Sequence, residues 1–319
     1  MNYAHYATAT ALKTPILPGW IVGRGTQVTP ESAGFVSGSA LALLHATLSN
    51  RAIDVPIDLL RQRLAVRAAV QCLKLQGRNE SEGETRDAFH LTQAGDPMGP
   101  AGDMLAFWKE GLNRSGRGDT WQTELVSKFP EFMQDDFAEG FQRATDFEPA
   151  SPVSRVAVFL SDVLTAHPRQ EAEALLAADC LLSSELGWEK PFPLIVSHMK
   201  RPAIRGLLND GDKGGFEIAC HNAVAASAQE ALRLAFDLAR RAEALRTVAP
   251  KLRAKGSDDA VALFLAEDAV FPSTMLTPTI RGTRTQMSEQ AARRLCDRLI
   301  ELGVVRELTG RPTFRLYGV

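Results

Sequence analysis

No run of apolar residues in this sequence approaches the roughly 20 needed to cross a bilayer as a helix. Met1 to Thr10 also lack the basic start and continuous apolar stretch of a secretory leader. A cytoplasmic protein without a membrane partner is expected. Cysteine is scarce: Cys72, Cys180, Cys220 and Cys296 stand far apart with no C-x-x-C pair, so buried thiols are expected and a disulfide framework is not. Charge of one sign is missing too. A formal net charge of −2 gives no global attraction to a polyanion, and any nucleic-acid contact must rest on local charge. The G-x-S-x-G elbow, the H-E-x-x-H helix and the kinase signatures are also absent. No cofactor is called for, and an enzyme is the lesser expectation.

What is present is an ordinary globular composition, 45% hydrophobic and 23% charged over 319 residues. That length holds one large core or two. Residues 1–30 carry six proline and glycine breakers, Pro15, Pro18, Gly19, Gly23, Gly25 and Pro30, and read as an extended lead-in. From residue 31 to about 255 apolar residues recur at helical spacing, which predicts an all-helical domain. Leu59, Leu60, Leu64, Ala68 and Cys72 share one face of a helix that Asp54 can cap and Gly77 can end. Val156, Phe159, Leu160 and Val163 mark another between Ser154 and His167. The longest stripe runs over Ala223 to Thr247. Loops are expected at Gly95 to Pro100, Asn113 to Asp119 and Asn209 to Gly215.

Residues 256–319 have a different pattern. A short amphipathic segment begins at Ser257, an irregular stretch follows from Pro272 to Gln286, and Ser288 caps a strongly amphipathic helix that Gly303 closes. Two β-rich runs, Val304 to Leu308 and Thr313 to Tyr317, flank Thr309-Gly310. A two-residue turn there would pair Val305 with Phe314 on the core side and place Arg306, Arg311 and Arg315 together on the other. The order fits a winged helix-turn-helix. Residues 273–319 hold eight arginines, no lysine and four acidic residues, a local charge of +4 that leaves −6 for the rest. Forked arginines suit phosphate and guanine. Gln290, Arg293 and Arg294 are therefore expected at the groove of double-stranded DNA, with Arg281, Arg284, Arg311 and Arg315 on phosphates or the wing.

Other constellations carry blander readings. Cys180, His198, Cys220 and His221 lack the close paired spacing of zinc sites, so no metal is expected. Asn209 to Gly215 lacks both the last glutamate of a calcium loop and the G-K-[ST] ending of a phosphate loop. Glu82, Glu84, Arg86, Asp87 and His90 could line a pocket, and a solvated helix face explains them as well.

Gly215-Phe216-Glu217, Glu230-Ala231-Leu232-Arg233-Leu234-Ala235, Val248-Ala249-Pro250-Lys251-Leu252-Arg253 and the ending from Arg306-Glu307-Leu308-Thr309-Gly310 onward resemble an uncharacterised bacterial family of alphaproteobacteria, domain of unknown function 1403. Phrases such as Arg61-Gln62-Arg63-Leu64 and Leu186-Gly187-Trp188 extend the resemblance over nearly the whole chain. The stretch from Thr277 to Gln286 is longer than the family's turn. The resemblance implies no activity. The leading expectation is a DNA-binding protein, a transcriptional regulator or a plasmid- or mobile-element-associated factor whose helical part supplies homodimerisation or sensing. The alternative is an enzyme or toxin-like effector that docks to a protein through the same C-terminal module.

Overall fold

A computed structural model describes residues 14–22, 27–93, 95–114, 118, 120–148, 150–252, 255–310 and 314–319. After one turn, α1 (Gly19–Val22), α2 (Pro30–Ser49) starts where Thr29 accepts a hydrogen bond from the Ser32 amide and Pro30 supplies a preset φ. Next comes α3 (Ile57–Leu75), buried on nearly every side, with Leu59, Leu60, Leu64, Ala68 and Cys72 all inside. Asp54 does not cap it. The residue before the helix is Pro56, which has no side-chain acceptor, and Asp54 instead lies at φ 48 and pairs with Arg246 at 2.8 Å. Gly77 does end the helix, at φ 83, as its glycine predicts. Ser81 and Glu84 form a reciprocal capping box for α4 (Glu82–Leu91).

Four helices, α5 (Gly99–Leu112), α6 (Trp121–Val126), α7 (Glu131–Asp146) and α8 (Pro152–Ala166), then build an aromatic centre in which Phe141 stacks on Phe159 at 4.5 Å between ring centroids. The largely buried α9 (Glu171–Glu185) places Asp179 beneath the segment that follows it. There Asp179 accepts hydrogen bonds from the amides of Leu194, Ile195 and Val196 at 2.8, 2.7 and 3.3 Å.

The expected loop at Asn209 to Gly215 shrinks to a corner. Between α10 (Arg201–Asp210) and α11 (Lys213–Val248) only Gly211, at φ 67, and Asp212 are non-helical. Asp212 caps α11 by accepting from the Gly215 amide at 2.8 Å, and a β-carbon on Gly215 would lie 2.1 Å from that carboxylate. Gly215, which looks like a breaker, is what the cap requires. At 36 residues α11 is about 54 Å long, and α2 packs along it.

The C-terminal part comprises α12 (Ser257–Phe264), α13 (Pro272–Met275), α14 (Glu289–Glu301), β1 (Arg306–Glu307) and β2 (Tyr317–Gly318). The long stretch before α14 folds back on itself through an antiparallel bridge between Thr279 and Gln286. Its tip carries Arg281 and Arg284. On the core face of α14, Ala292, Leu295, Cys296 and Leu299 are buried.

The hairpin register differs from expectation. Arg306 pairs with Gly318 and Glu307 with Tyr317, five residues away from a Val305–Phe314 pairing. Phe314 is 65% exposed at φ 56, not in the core. The reason is a third partner: Val270 exchanges both backbone hydrogen bonds with Tyr317, at 2.7 and 3.0 Å. Residues 316–319 are therefore flanked by chain on both edges and buried throughout. An alternating in-and-out pattern had no solvent face to describe. The four cysteines are free and buried, and no helix among the described residues is long and apolar enough to cross a membrane.

Candidate nucleic-acid interface and the cleft behind it

Charged groups tie the C-terminal part to the helices. Asp268, 1% exposed, sits between two guanidinium groups: Arg63 Nε lies 2.8 Å from Oδ1, and Arg86 donates from Nε to Oδ2. Arg86 also reaches Glu82 at 2.9 Å, and Lys109 pairs with Glu267 at 3.0 Å. Arg63 donates through Nη2 to the Val319 carbonyl oxygen at 3.0 Å, and Arg241 approaches the same oxygen at 3.5 Å. A β-carbon at Gly318 would lie 2.9 Å from the Asp268 carbonyl oxygen and 3.2 Å from Arg63 Nη2. Only glycine lets β2 come this close.

Burial pulls Arg63 below its ordinary pKa, with Asp268 opposing and the cations Arg86, Arg306 and Arg241 adding to the fall. Arg86 is buried as well, yet Asp268 and then Glu82 hold it above its ordinary value. The two arginines thus share one carboxylate unequally.

The groups Glu82, Glu84, Arg86, Asp87 and His90 do not line one pocket. Glu84 is used in the α4 cap, Glu82 and Arg86 join the Asp268 cluster, and His90 packs edge-on to Phe89 at 4.8 Å. Burial, followed by the charge of Lys109, pushes the His90 imidazole down to about 3 from 6.5. Neutral in the folded state, it gains a proton on unfolding anywhere below about pH 6.5. Its contribution therefore lowers stability as pH falls from about 6.5 towards 3, by up to about 1.4 kcal/mol per pH unit. His90→Gln should flatten that part of the acid limb. Urea midpoints of both proteins between pH 7 and 4.5 check this, and parallel curves would refute it.

On the outer side, α14 exposes Gln290, Arg293 and Arg294 in its N-terminal half. Among the described residues no carboxylate lies within ion-pair distance of Arg293 or Arg294, although Arg298 pairs with Glu301 at 3.0 Å. Arg281 and Arg284 are exposed as well. Gln290, Arg293 and Arg315 line a groove of about 840 Å³ that also holds Phe271 and Phe314. Arg315 is drawn to Glu307 at 3.6 Å. Arg311 lies outside the described residues. Arg306 is not in that groove; it lines a separate cleft of about 410 Å³ with Arg63, Arg67, Arg86 and Arg241.

Sequence reasoning missed this second cluster. Arg63 and Arg86 are visible as charges on amphipathic helices, but nothing local marks Asp268 as their shared partner 182 residues from Arg86. Of the discounted metal set, His198 engages Glu230 at 2.8 Å and His221 engages Ser37 at 2.8 Å, while Cys180 and Cys220 are buried. No group of three or more His, Cys, Asp or Glu among the described residues is arranged to hold a metal ion.

A family model described as Protein of unknown function (DUF1403) matches residues 6–319. Comparison with curated proteins finds no match.

Proposed function

We propose that this chain, which belongs to the DUF1403 family, is a DNA-binding protein whose residues 256–319 act as a winged helix-turn-helix. The observation that carries the reading is the N-terminal half of α14, where Gln290, Arg293 and Arg294 are exposed and the two arginines have no carboxylate partner among the described residues. That half of a recognition helix is the part that reaches base edges. The strand arrangement supports it, since Val270, lying before α13, pairs beside β2 in a small sheet with β1. Arg281 and Arg284 on the preceding loop and Arg315 beside the groove then serve as phosphate contacts. A transcriptional regulator or a plasmid- or mobile-element factor working in the cytoplasm fits this use. A homodimer would present two copies of α14 to paired half-sites.

Replacing Arg293 and Arg294 with alanine should weaken duplex binding while leaving circular dichroism unchanged, because both side chains are exposed. Replacing Arg281 and Arg284 as well should make the salt dependence of log K shallower by about 0.9 for each phosphate contact removed. Absence of duplex binding by the wild type at low salt, or an unchanged affinity and slope in the variant, defeats the reading. A protein-docking role is the second reading, favoured by one observation: Phe314 stands 65% exposed beside the groove.

A further inference from the structure

We infer that the cleft between α3, α11 and β1 binds a small phosphorylated anion. This goes beyond the DNA reading and does not depend on it. Five guanidinium groups line the cleft, from Arg63 and Arg67 on α3, Arg86 on α4, Arg241 on α11 and Arg306 on β1, against three acidic side chains. Arg63 and Arg86 share Asp268 behind the cleft and Arg67 also reaches Glu230 at 2.9 Å, and the three acids of the cleft are engaged in turn. Glu82 lies 2.9 Å from Arg86 and 3.6 Å from Arg67, Asp237 is divided between Arg240 at 3.3 Å and Arg241 at 2.9 Å, and Glu307 is drawn 3.6 Å to Arg315. Arg306 has no carboxylate within ion-pair distance among the described residues, although it lies close enough to Arg63 to disfavour that residue's charge. Arg306 is thus the cation of the cleft left for an incoming anion, with the guanidinium edges of its paired neighbours as further donors.

The shape and chemistry narrow the ligand. About 410 Å³ lies at the small end of ligand sites. The apolar lining is three leucines, Leu234, Leu238 and Leu308, and Val319, with no aromatic ring on which a nucleobase could stack. Forked guanidinium donors match phosphate oxygens two at a time. The class is therefore a polyphosphate or a sugar phosphate rather than a nucleotide. Such a ligand touches α11 through Arg241 and β1 through Arg306, so it fastens the C-terminal strands to the helical body.

The test is calorimetric titration of inorganic pyrophosphate into the full-length protein at fixed ionic strength, without DNA, with thermal melting as a second readout. Saturable binding and a raised Tm are expected. Arg306→Gln, at an exposed position, should weaken binding at least tenfold, whereas Arg298→Ala on the outer face of α14 should leave it unchanged. ADP should bind no more tightly than pyrophosphate. No saturable heat, or equal affinity in Arg306→Gln, overturns the site, and a tenfold preference for ADP overturns the ligand class. Because DNA takes no part, failure here and failure of the DNA reading are separate results.

Discussion

Asp268→Ala should lower stability by about 3–5 kcal/mol, the usual cost of leaving buried charge without its partner. Asp268 is 1% exposed and both its neighbours are enclosed, with Arg63 and Arg86 side chains at 9% and 10% exposure. Removing the carboxylate leaves Arg86 with Glu82, but leaves Arg63 with only the Val319 carbonyl and three nearby cations. The damage lies at the junction rather than within any helix. Helical circular dichroism in water should therefore survive while the denaturant midpoint falls. A loss under about 1 kcal/mol would show that the pairing carries no weight in docking. Measured stability of this kind does not say that the cluster outperforms an apolar junction of equal volume, because burying three charges is itself costly.

Asp179→Ala should be nearly as damaging, for a different reason. Its carboxylate is the acceptor for three consecutive buried amides, those of Leu194, Ile195 and Val196. Each amide left without an acceptor costs about 1–3 kcal/mol, so a total loss of about 3 kcal/mol or more is expected. Asp179→Asn keeps one acceptor oxygen and should fall between wild type and alanine in denaturant midpoint. Equal losses in the two variants would mean that packing, not hydrogen bonding, sets the cost. Burial pushes the Asp179 carboxyl up to about 7, with the three amides pulling the other way. Since the folded value exceeds the ordinary 3.8, this group favours the folded state increasingly as pH falls from about 7 towards 4. That trend is opposite in sign to the His90 contribution.

Helical periodicity made the architecture legible where the determinants are local. The stripe of α8 follows from side-chain spacing alone and is buried as that spacing requires, whereas the apolar face read for α14 is buried at Ala292, Leu295, Cys296 and Leu299 but not at Ile300, which is 37% exposed. Ser81 and Glu84, three apart, form a capping box for α4 that is not read from the sequence, where Glu84 stands among the pocket candidates. Local signals misled where a neighbour in space decided the outcome. Asp54 has the chemistry of a cap but is committed to Arg246, and Gly214-Gly215 looks like a break but lies in the first turn of α11. The hairpin shows it most clearly, because Val270, 47 residues before Tyr317, decides how the strand pairs. The arginines divide in the same way: their number is evident from composition, whereas which of them face outward and which face the cleft depends on that strand.

The hydrogen bond from Arg63 to the Val319 carbonyl spans 256 positions. Bringing such distant points together in a flexible chain costs about 5 kcal/mol of closure entropy. Helices formed from nearby residues bear little of that cost, so they can assemble while the closing contact is still missing. The charges in the flank of the helical body are thus covered only by contacts that close over most of the chain.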